Sequence, residues 1–250
     1  MRNTYKGTLT DEQARHYRSQ GYYKLPHVFT HDETAEMREF VAGEAAAKKD
    51  QAAKLGGKLF KMYQLYDANP ELMRRVITNR HLTGPLASLL GPNIIFLKNR
   101  HNHATVNDIQ GEAPEGLHRD ILQPTRSILT AAVYLEVSTL ENGATRLVPG
   151  SHELPYVGVP EDEGGGVWMN QHEEYAGLED QAVSVPMPEG GVLLFNSLVF
   201  HAVGANTSGG SRMSMTLAFR AADELDANPD MTRQVIVAGE QTYRGNDRFF

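Results

Sequence analysis

The triplet His118-Arg119-Asp120 is the first place where residue types and spacing combine into chemistry. An extended segment sends alternate side chains to opposite faces, so His118 and Asp120 share one side. Imidazole and carboxylate together can grip a divalent metal, although the same triplet also arises at surface turns. His201, at the end of the apolar run Gly191–Phe200, offers a second imidazole. Two imidazoles and one carboxylate bind one face of a metal and leave the other positions open, as in non-haem Fe(II) oxygenases. A second pattern follows, in which Arg212, Ser214, Thr216 and Ala218 alternate with Met213, Met215, Leu217 and Phe219. A strand here has one polar and one apolar face, and a guanidinium buried on the polar face needs an anionic partner. A small dicarboxylate meets that need: Arg212 holds a carboxylate through two hydrogen bonds and Ser214 adds a third. The reading is a ferrous ion on His118, Asp120 and His201, which are therefore also the catalytic set. A 2-oxo acid chelates the ion and reaches Arg212 with its far carboxylate. The turn-rich Thr207–Gly210 between His201 and Arg212 predicts a hairpin that sets both on one face.

Elements must hold these groups in place, and composition bounds what they can be. The chain has 250 residues with 40% apolar content, enough for one globular domain with a sizeable core. It has no cysteine, which excludes disulfide frameworks, thiolate zinc, iron–sulfur clusters and cysteine nucleophiles, so any metal is held by nitrogen and oxygen. A net charge of −7 repels polyanions and argues against nucleic acid as the main partner. No apolar run approaches the roughly 20 residues of a membrane span, and Met1–Thr10 lacks a signal-peptide apolar segment. The expectation is a soluble cytoplasmic protein with a small-molecule partner and no membrane; a homodimer is left open.

Along the chain, residues 1–92 read as mostly helical support. Thr10 caps a first helix with Asp11 and Glu12 in its first turn, and Gly21 stops it. A second begins near His31 and Asp32 with Met37, Phe40 and Val41 at helical spacing, and a third spans Pro70–Leu90 before Gly91-Pro92. Residues 93–220 turn β-rich, with runs Ile94–Leu97, Ser127–Val137, Val192–Phe195 and Met213–Phe219, which predicts an antiparallel β core with flanking helices. Within it, 153–182 reads as a lid and 221–250 as a C-terminal extension to the single domain 1–250. Between Arg146 and Arg212 there is no Lys or Arg, while nine acids fall in the interval. As a lid this stretch would cover an uncharged or cationic substrate.

At this point the sequence resembles the phytanoyl-CoA dioxygenase-like branch of Fe(II)/2-oxoglutarate-dependent oxygenases. The resemblance runs from Leu9-Thr10-Asp11-Glu12-Gln13 and Gly21-Tyr22 through His118–Asp120. It includes the segment Glu141-Asn142-Gly143-Ala144-Thr145-Arg146-Leu147-Val148-Pro149-Gly150-Ser151-His152, then Gly190–Phe195, His201 and Arg212-x-Ser214. It implies a double-stranded β-helix, or cupin-like jelly-roll, and a structural role for His152. It also implies oxidation of a C–H bond with Fe(II), 2-oxoglutarate and O2, releasing succinate and CO2. Asp120 is intact where halogenating relatives carry Gly or Ala, so halogenation is disfavoured. A CoA thioester is disfavoured by the same lack of basic residues.

Further contacts follow from position. Asn107 or Thr105, on the strand His101–Asp108, and Lys98 are candidates for holding the keto acid; Tyr63, Gln64 and Trp168 are candidates for facing substrate. His101 and His103 share a strand parity but have no evident carboxylate. Trp168, Tyr156 and Tyr175 in the lid suit a small hydrophobic or aromatic natural product, as in bacterial antibiotic biosynthesis. The outcome is hydroxylation, cyclisation, desaturation or epimerisation. Two other readings stay open: a 2-oxoglutarate-independent zinc or manganese enzyme on the same ligands, and a non-catalytic jelly-roll that binds a small molecule.

Overall fold

The computed structural model describes residues 7–47, 60–108, 110–111, 113–114, 116–121, 127–155, 173–175, 177–224 and 230–240. Trp168, Tyr156 and most of the expected lid lie outside them.

The N-terminal helices form where the sequence supplies caps. Helix α1 (Asp11–Gln20) opens with a capping box, in which Gln13 N donates to Thr10 Oγ1 at 3.2 Å and Thr10 N to Gln13 Oε1 at 2.9 Å. It ends at Gly21, whose φ of 78° is left-handed. A Cβ there would lie 2.5 Å from His152 Nδ1 and from Val199 Cγ2, so the position needs glycine twice over. Helix α2 (His31–Ala47) buries Met37 and Val41 as its spacing predicts.

The expected third helix, Pro70–Leu90, is two, and a further short one comes before it. A short α3 (Leu65–Ala68) precedes α4 (Pro70–Ile77) and α5 (Arg80–Leu90). Asn69 caps α4 by accepting from Leu72 N, and Asn79 caps α5 by accepting from His81 N. Asn79 thus turns the chain where hydrophobic spacing alone reads through.

Strands also arise in the region read as helical, namely β1 (Tyr22–Leu25) and β2 (Phe60–Tyr63). The β region then adds β3 (Ile94–Leu97), β4 (Asn102–Asn107), β5 (Leu129–Tyr134), β6 (Thr145–Leu147), β7 (Val183–Val185), β8 (Val192–Asn196), β9 (His201–Val203), β10 (Arg212–Ala221) and β11 (Gln234–Ala238). Eight of these make a major antiparallel sheet of order β1-β8-β5-β10-β3-β11, with β4 pairing β10 and β2. A minor sheet of order β7-β6-β9 completes the jelly-roll.

The hairpin expected between His201 and Arg212 does not form. Strand β9 pairs with β6 in the minor sheet, whereas β10 pairs with β3, β4 and β5 in the major one. The connection crosses between sheets, so the two residues meet across the barrel interior and not across a ladder.

The main core lies between helices and the outer face of the major sheet. There Met215, Leu217 and Phe219 of β10 pack with Met37, Val41, Met73, Ile77, Leu82 and Leu86. Each such fully buried side chain contributes about 1.5–3 kcal/mol. The opposite parity of β10 points inward, as the alternation predicts. Register aligns Arg212, Ser214 and Thr216 with Asn107, Thr105 and His103 of β4, and Ser214 and Thr216 with Tyr134 and Ala132 of β5. Among the described residues no helix is long and apolar enough to cross a membrane.

Candidate metal centre

His118 and His201 oppose one another through a reciprocal backbone pair, His118 N to His201 O at 3.0 Å and His201 N to His118 O at 2.9 Å. Directly opposed residues place their side chains on one face, and the ring centroids are 4.6 Å apart. Asp120 N donates to Ser197 O at 3.0 Å, so the segment carrying the triplet is laced to the chain leading into β9. Arg119, between the two ligands, points the other way. Its guanidinium is buried, donates to Ser151 O and Leu154 O, and stacks over Phe200. The result is one cluster in which His118, Asp120 and His201 offer ligand atoms all within 4.8 Å of one another.

Hydrogen bonds select which nitrogens face inward. His118 Nδ1 lies 3.1 Å from Gly116 O and His201 Nδ1 lies 2.9 Å from Val199 O. A carbonyl accepts only from a protonated nitrogen, so a neutral ring at either position carries its proton on Nδ1 and presents a bare Nε2, as a metal requires. Burial pushes the His201 imidazole down to about 4, which keeps it neutral at pH 7. For Asp120 burial acts upward. The fields of His101 and His201, a hydrogen bond from His101 and the field of His118 outweigh it and hold the carboxyl well below its ordinary range. Two imidazole nitrogens with one ionised carboxylate, and no sulfur, fit ferrous iron.

His101 does have a carboxylate partner after all: its Nε2 lies 3.0 Å from Asp120 Oδ1. Its Nδ1 is 3.2 Å from Thr130 Oγ1, which in turn meets Ser197 Oγ at 2.8 Å. Thr130 and Ser197 are fully buried, and this chain of groups orients Asp120 from behind. The sequence alone gives no sign that Asp120 folds back onto His101, just before β4.

Arg212 is 1% exposed. Nη1 reaches Ser214 Oγ at 3.3 Å, Cζ sits 5.6 Å from the Tyr134 ring centre, and buried Nε has no hydrogen-bond partner. Among the described residues it makes no ion pair with a carboxylate. That is the state expected of a cation awaiting an anionic ligand. Ser214 and Thr105, paired in register, line the same cavity of about 750 Å³ as the metal cluster.

The remaining candidates divide. Tyr63, Gln64 and Lys98 also line that cavity. Lys98 Nζ pairs with Asp67 Oδ1 at 2.5 Å. Asn107 sits beside Arg212 in register but does not line the cavity, and its Nδ2 faces Gly204 O at 3.4 Å. Tyr175, one of the aromatic residues of the expected lid, is 2% exposed and packs against Phe200 with its hydroxyl on Pro155 O. His152 Nε2 meets Arg18 O at 2.9 Å, the structural tie anticipated for it. Residues that spacing did not single out are Lys61, Arg100, Phe195 and Arg233, all lining the cavity. Three of these are cations, whereas the Arg146–Arg212 interval, read as an acidic lid over an uncharged or cationic substrate, lies in part outside the described residues. The positive groups come from β2, from the segment between β3 and β4, and from the turn before β11.

A family model described as phytanoyl-CoA dioxygenase (PhyH) matches residues 17–214. The chain is similar to a methylphosphonate hydroxylase of Gimesia maris, 25% identical over 228 residues that cover 88% of this chain and 84% of that one. It is also similar to a probable phytanoyl-CoA dioxygenase of Caenorhabditis elegans, 26% identical over 213 residues, covering 80% of this chain and 61% of that protein. Among solved structures, the epimerase SnoN, in complex with Fe3+, alpha ketoglutarate and nogalamycin RO, aligns with a TM-score of 0.65 at 21% identity. The alignment covers 85% of this chain and 84% of that one, and shows the shared fold. With the family match spanning most of its length and the ligand cluster closed inside the jelly-roll, the chain belongs to the phytanoyl-CoA dioxygenase (PhyH) family and is an Fe(II)/2-oxoglutarate-dependent dioxygenase.

Proposed function

We propose that this enzyme oxidises a C–H bond of a small molecule at an iron held by His118, Asp120 and His201, with 2-oxoglutarate anchored by Arg212. The observation that carries this reading is the pairing of a convergent ligand cluster with a buried guanidinium that makes no ion pair among the described residues, in the same cavity. Iron when bound supplies the redox chemistry that couples 2-oxoglutarate and O2 consumption to substrate oxidation, giving succinate and CO2.

The protein's own groups do the positioning. Arg212 and Ser214 receive the far carboxylate, and the Thr105 hydroxyl, in register with Ser214, is placed to donate to the cosubstrate. His101 fixes the carboxylate of Asp120. Tyr63 and Gln64 border the space left for substrate, and Phe195, Ala132 and Ala202 give it apolar walls. These walls support a partly hydrophobic or aromatic substrate of the kind tailored in antibiotic biosynthesis. One oxygenase domain over 1–250, with 153–182 as lid and 221–250 as extension, is part of the same reading. The absence of cysteine is in keeping with a reducing compartment such as the cytoplasm.

Anaerobic addition of Fe(II) and then 2-oxoglutarate should produce a visible metal-to-ligand charge-transfer band. Asp120→Ala and His201→Ala should each abolish both the band and substrate-dependent succinate. A protein that binds zinc and turns over without 2-oxoglutarate would overturn the assignment.

A further inference from the structure

The two carboxylate oxygens of Asp120 stand in different company. Oδ1 lies 3.0 Å from His101 Nε2 and 3.9 Å from His118 Nε2. Oδ2 lies 3.5 Å from His201 Nε2 and 3.5 Å from Thr130 Oγ1. Of these contacts, the one with His101 alone has the length of a well-formed hydrogen bond. One oxygen is thus engaged by a ring outside the ligand cluster, while the other is turned toward His201.

His101 reaches that place through a break in the strand line. The residues pairing with β10 leave the ladder after β3 and resume it at Asn102, and His101 is the last residue before the ladder restarts. Its φ of 44° is left-handed, a region histidine enters more readily than most side chains but seldom. The neighbours hold it there. Asn102, buried, donates from Nδ2 to Lys98 O at 2.9 Å while its Oδ1 accepts from Tyr66 N at 3.1 Å. From the other side Arg100 donates to the main-chain carbonyl of Asp120. Backbone strain of this sort persists where the surroundings over-determine it, and it gathers at functional sites.

A buried row of hydroxyls stands behind the ring. His101 Nδ1 is 3.2 Å from Thr130 Oγ1, which is 2.8 Å from Ser197 Oγ. Thr130 and Ser197 are fully buried, so their protons must find partners within the protein. One direction of donation serves the whole row: Ser197 to Thr130, Thr130 to His101 Nδ1, and His101 Nε2 to Asp120 Oδ1. With its proton given to His101, Thr130 has none left for Oδ2. The row also closes on itself, because Ser197 O accepts from Asp120 N at 3.0 Å.

Coordination number decides what this arrangement does. Two imidazoles and one carboxylate oxygen fill three positions of an octahedral ion and leave three, enough for a chelating 2-oxo acid and O2. Carboxylates also bind metals through both oxygens. Asp120 bound in that way would fill a fourth position and leave one too few.

Resting on the oxygenase reading above, we propose that His101 is a positioning residue that holds Asp120 to binding through a single oxygen. Its Nε2 proton occupies Oδ1, and Oδ2 alone is left for the iron. Thr130 and Ser197 set the tautomer and the angle of the His101 ring.

The test uses the full chain under anaerobic conditions. Fe(II) is titrated in the presence of 2-oxoglutarate and followed by the charge-transfer band. Nitric oxide, a stand-in for O2, then reports the remaining position by electron paramagnetic resonance. Loss of an outer partner of a metal ligand costs about 10–100-fold in metal affinity. His101→Phe, which keeps a ring without the donor, should show that loss, and a weaker nitric oxide signal at saturating iron. His101→Gln, whose amide reaches the same oxygen, should restore most of both, and Thr130→Val should show a smaller loss in the same direction. Wild-type affinity and signal in His101→Phe would overturn the proposal, as would His101→Gln performing no better than His101→Phe, the mark of a packing role. If His101→Phe does not fold, Thr130→Val decides, a weakened titration supporting the proposal and an unchanged one overturning it. A crystal of the iron-loaded wild type with His101 on the metal, or with both Asp120 oxygens on it, would also overturn it. Failure of the band to form in the wild type would instead refute the oxygenase reading itself.

Discussion

Replacing Arg212 by methionine should move stability and ligand affinity in opposite directions. The guanidinium is 1% exposed and, among the described residues, has no carboxylate ion partner; burial pushes its pKa down, with Tyr134 and Glu136 opposing. Methionine fills similar volume without a charge. Replacing a buried charge with an apolar side chain is often neutral or stabilising by about 1–4 kcal/mol. The ligand-free variant should therefore melt no lower than wild type. With 2-oxoglutarate the sign reverses. Truncating one partner of a buried, hydrogen-bonded charge pair costs about 2–5 kcal/mol, or roughly thirtyfold to several thousandfold in affinity at 1.4 kcal/mol per decade.

Linkage makes both effects visible in one assay. At ligand one hundred times its Kd, wild type gains about 2.7 kcal/mol, worth roughly 5–10 °C in a chain of this size. Melting curves under anaerobic Fe(II), with and without 2-oxoglutarate, should show that rise in wild type and no more than about a third of it in Arg212→Met at the same concentration. Arg212→Lys, which keeps the charge but loses the two-pronged geometry, should recover part of it. A variant that binds 2-oxoglutarate as wild type does, or whose ligand-free form loses several kcal/mol, would show that Arg212 is a packing residue and refute the anchor.

Two further outcomes concern the scaffold. Glu189 accepts from Thr34 Oγ1 and pairs with His31 and Arg38 of α2; the Thr34 hydrogen bond, with those two charges, lowers its pKa against an opposing burial effect. A depressed folded pKa means stability that is present above the unfolded carboxylate pKa and lost as pH falls through the folded one. Glu189→Gln should therefore cost about 1 kcal/mol or less at pH 7, and urea midpoints of the two proteins should converge as the buffer is taken down through the carboxylate range. A gap that widens in acid would contradict this. Gly21→Ala adds a Cβ 2.5 Å from His152 and Val199 at a φ of 78°; it should cost about 1–3 kcal/mol or more in urea unfolding, and an unchanged midpoint would mean the α1 turn is free to shift.

The three clustered residues were legible because each is marked locally: His118 and Asp120 by alternation within three residues, His201 by the apolar run before it. Arg212 and Ser214 were legible from the polar parity of β10. The pairing of β9 was not, because its partners are β6 and His118, and nothing near Thr207–Gly210 separates a hairpin from a crossing between sheets. Helix α4 and helix α5 merged in the reading since hydrophobic spacing continues past Asn79, and only the side-chain cap reveals the break. The interruption Lys98–His101 between β3 and β4 was hidden for a related reason: an apolar run and an alternating run flank it, and that both pair with β10 is a long-range fact. The charge of the cavity could not come from intervals of sequence, because its cations arrive from segments far from the acidic stretch.

The reciprocal amide pair between His118 and His201 carries one further consequence. The spacing of the two imidazoles is written into the main chain, so capture of an ion needs little rearrangement there and fastens two remote segments into a closed loop. Those two amide protons should then be among the slowest to exchange with deuterated solvent once metal is bound, and chelation should release them together.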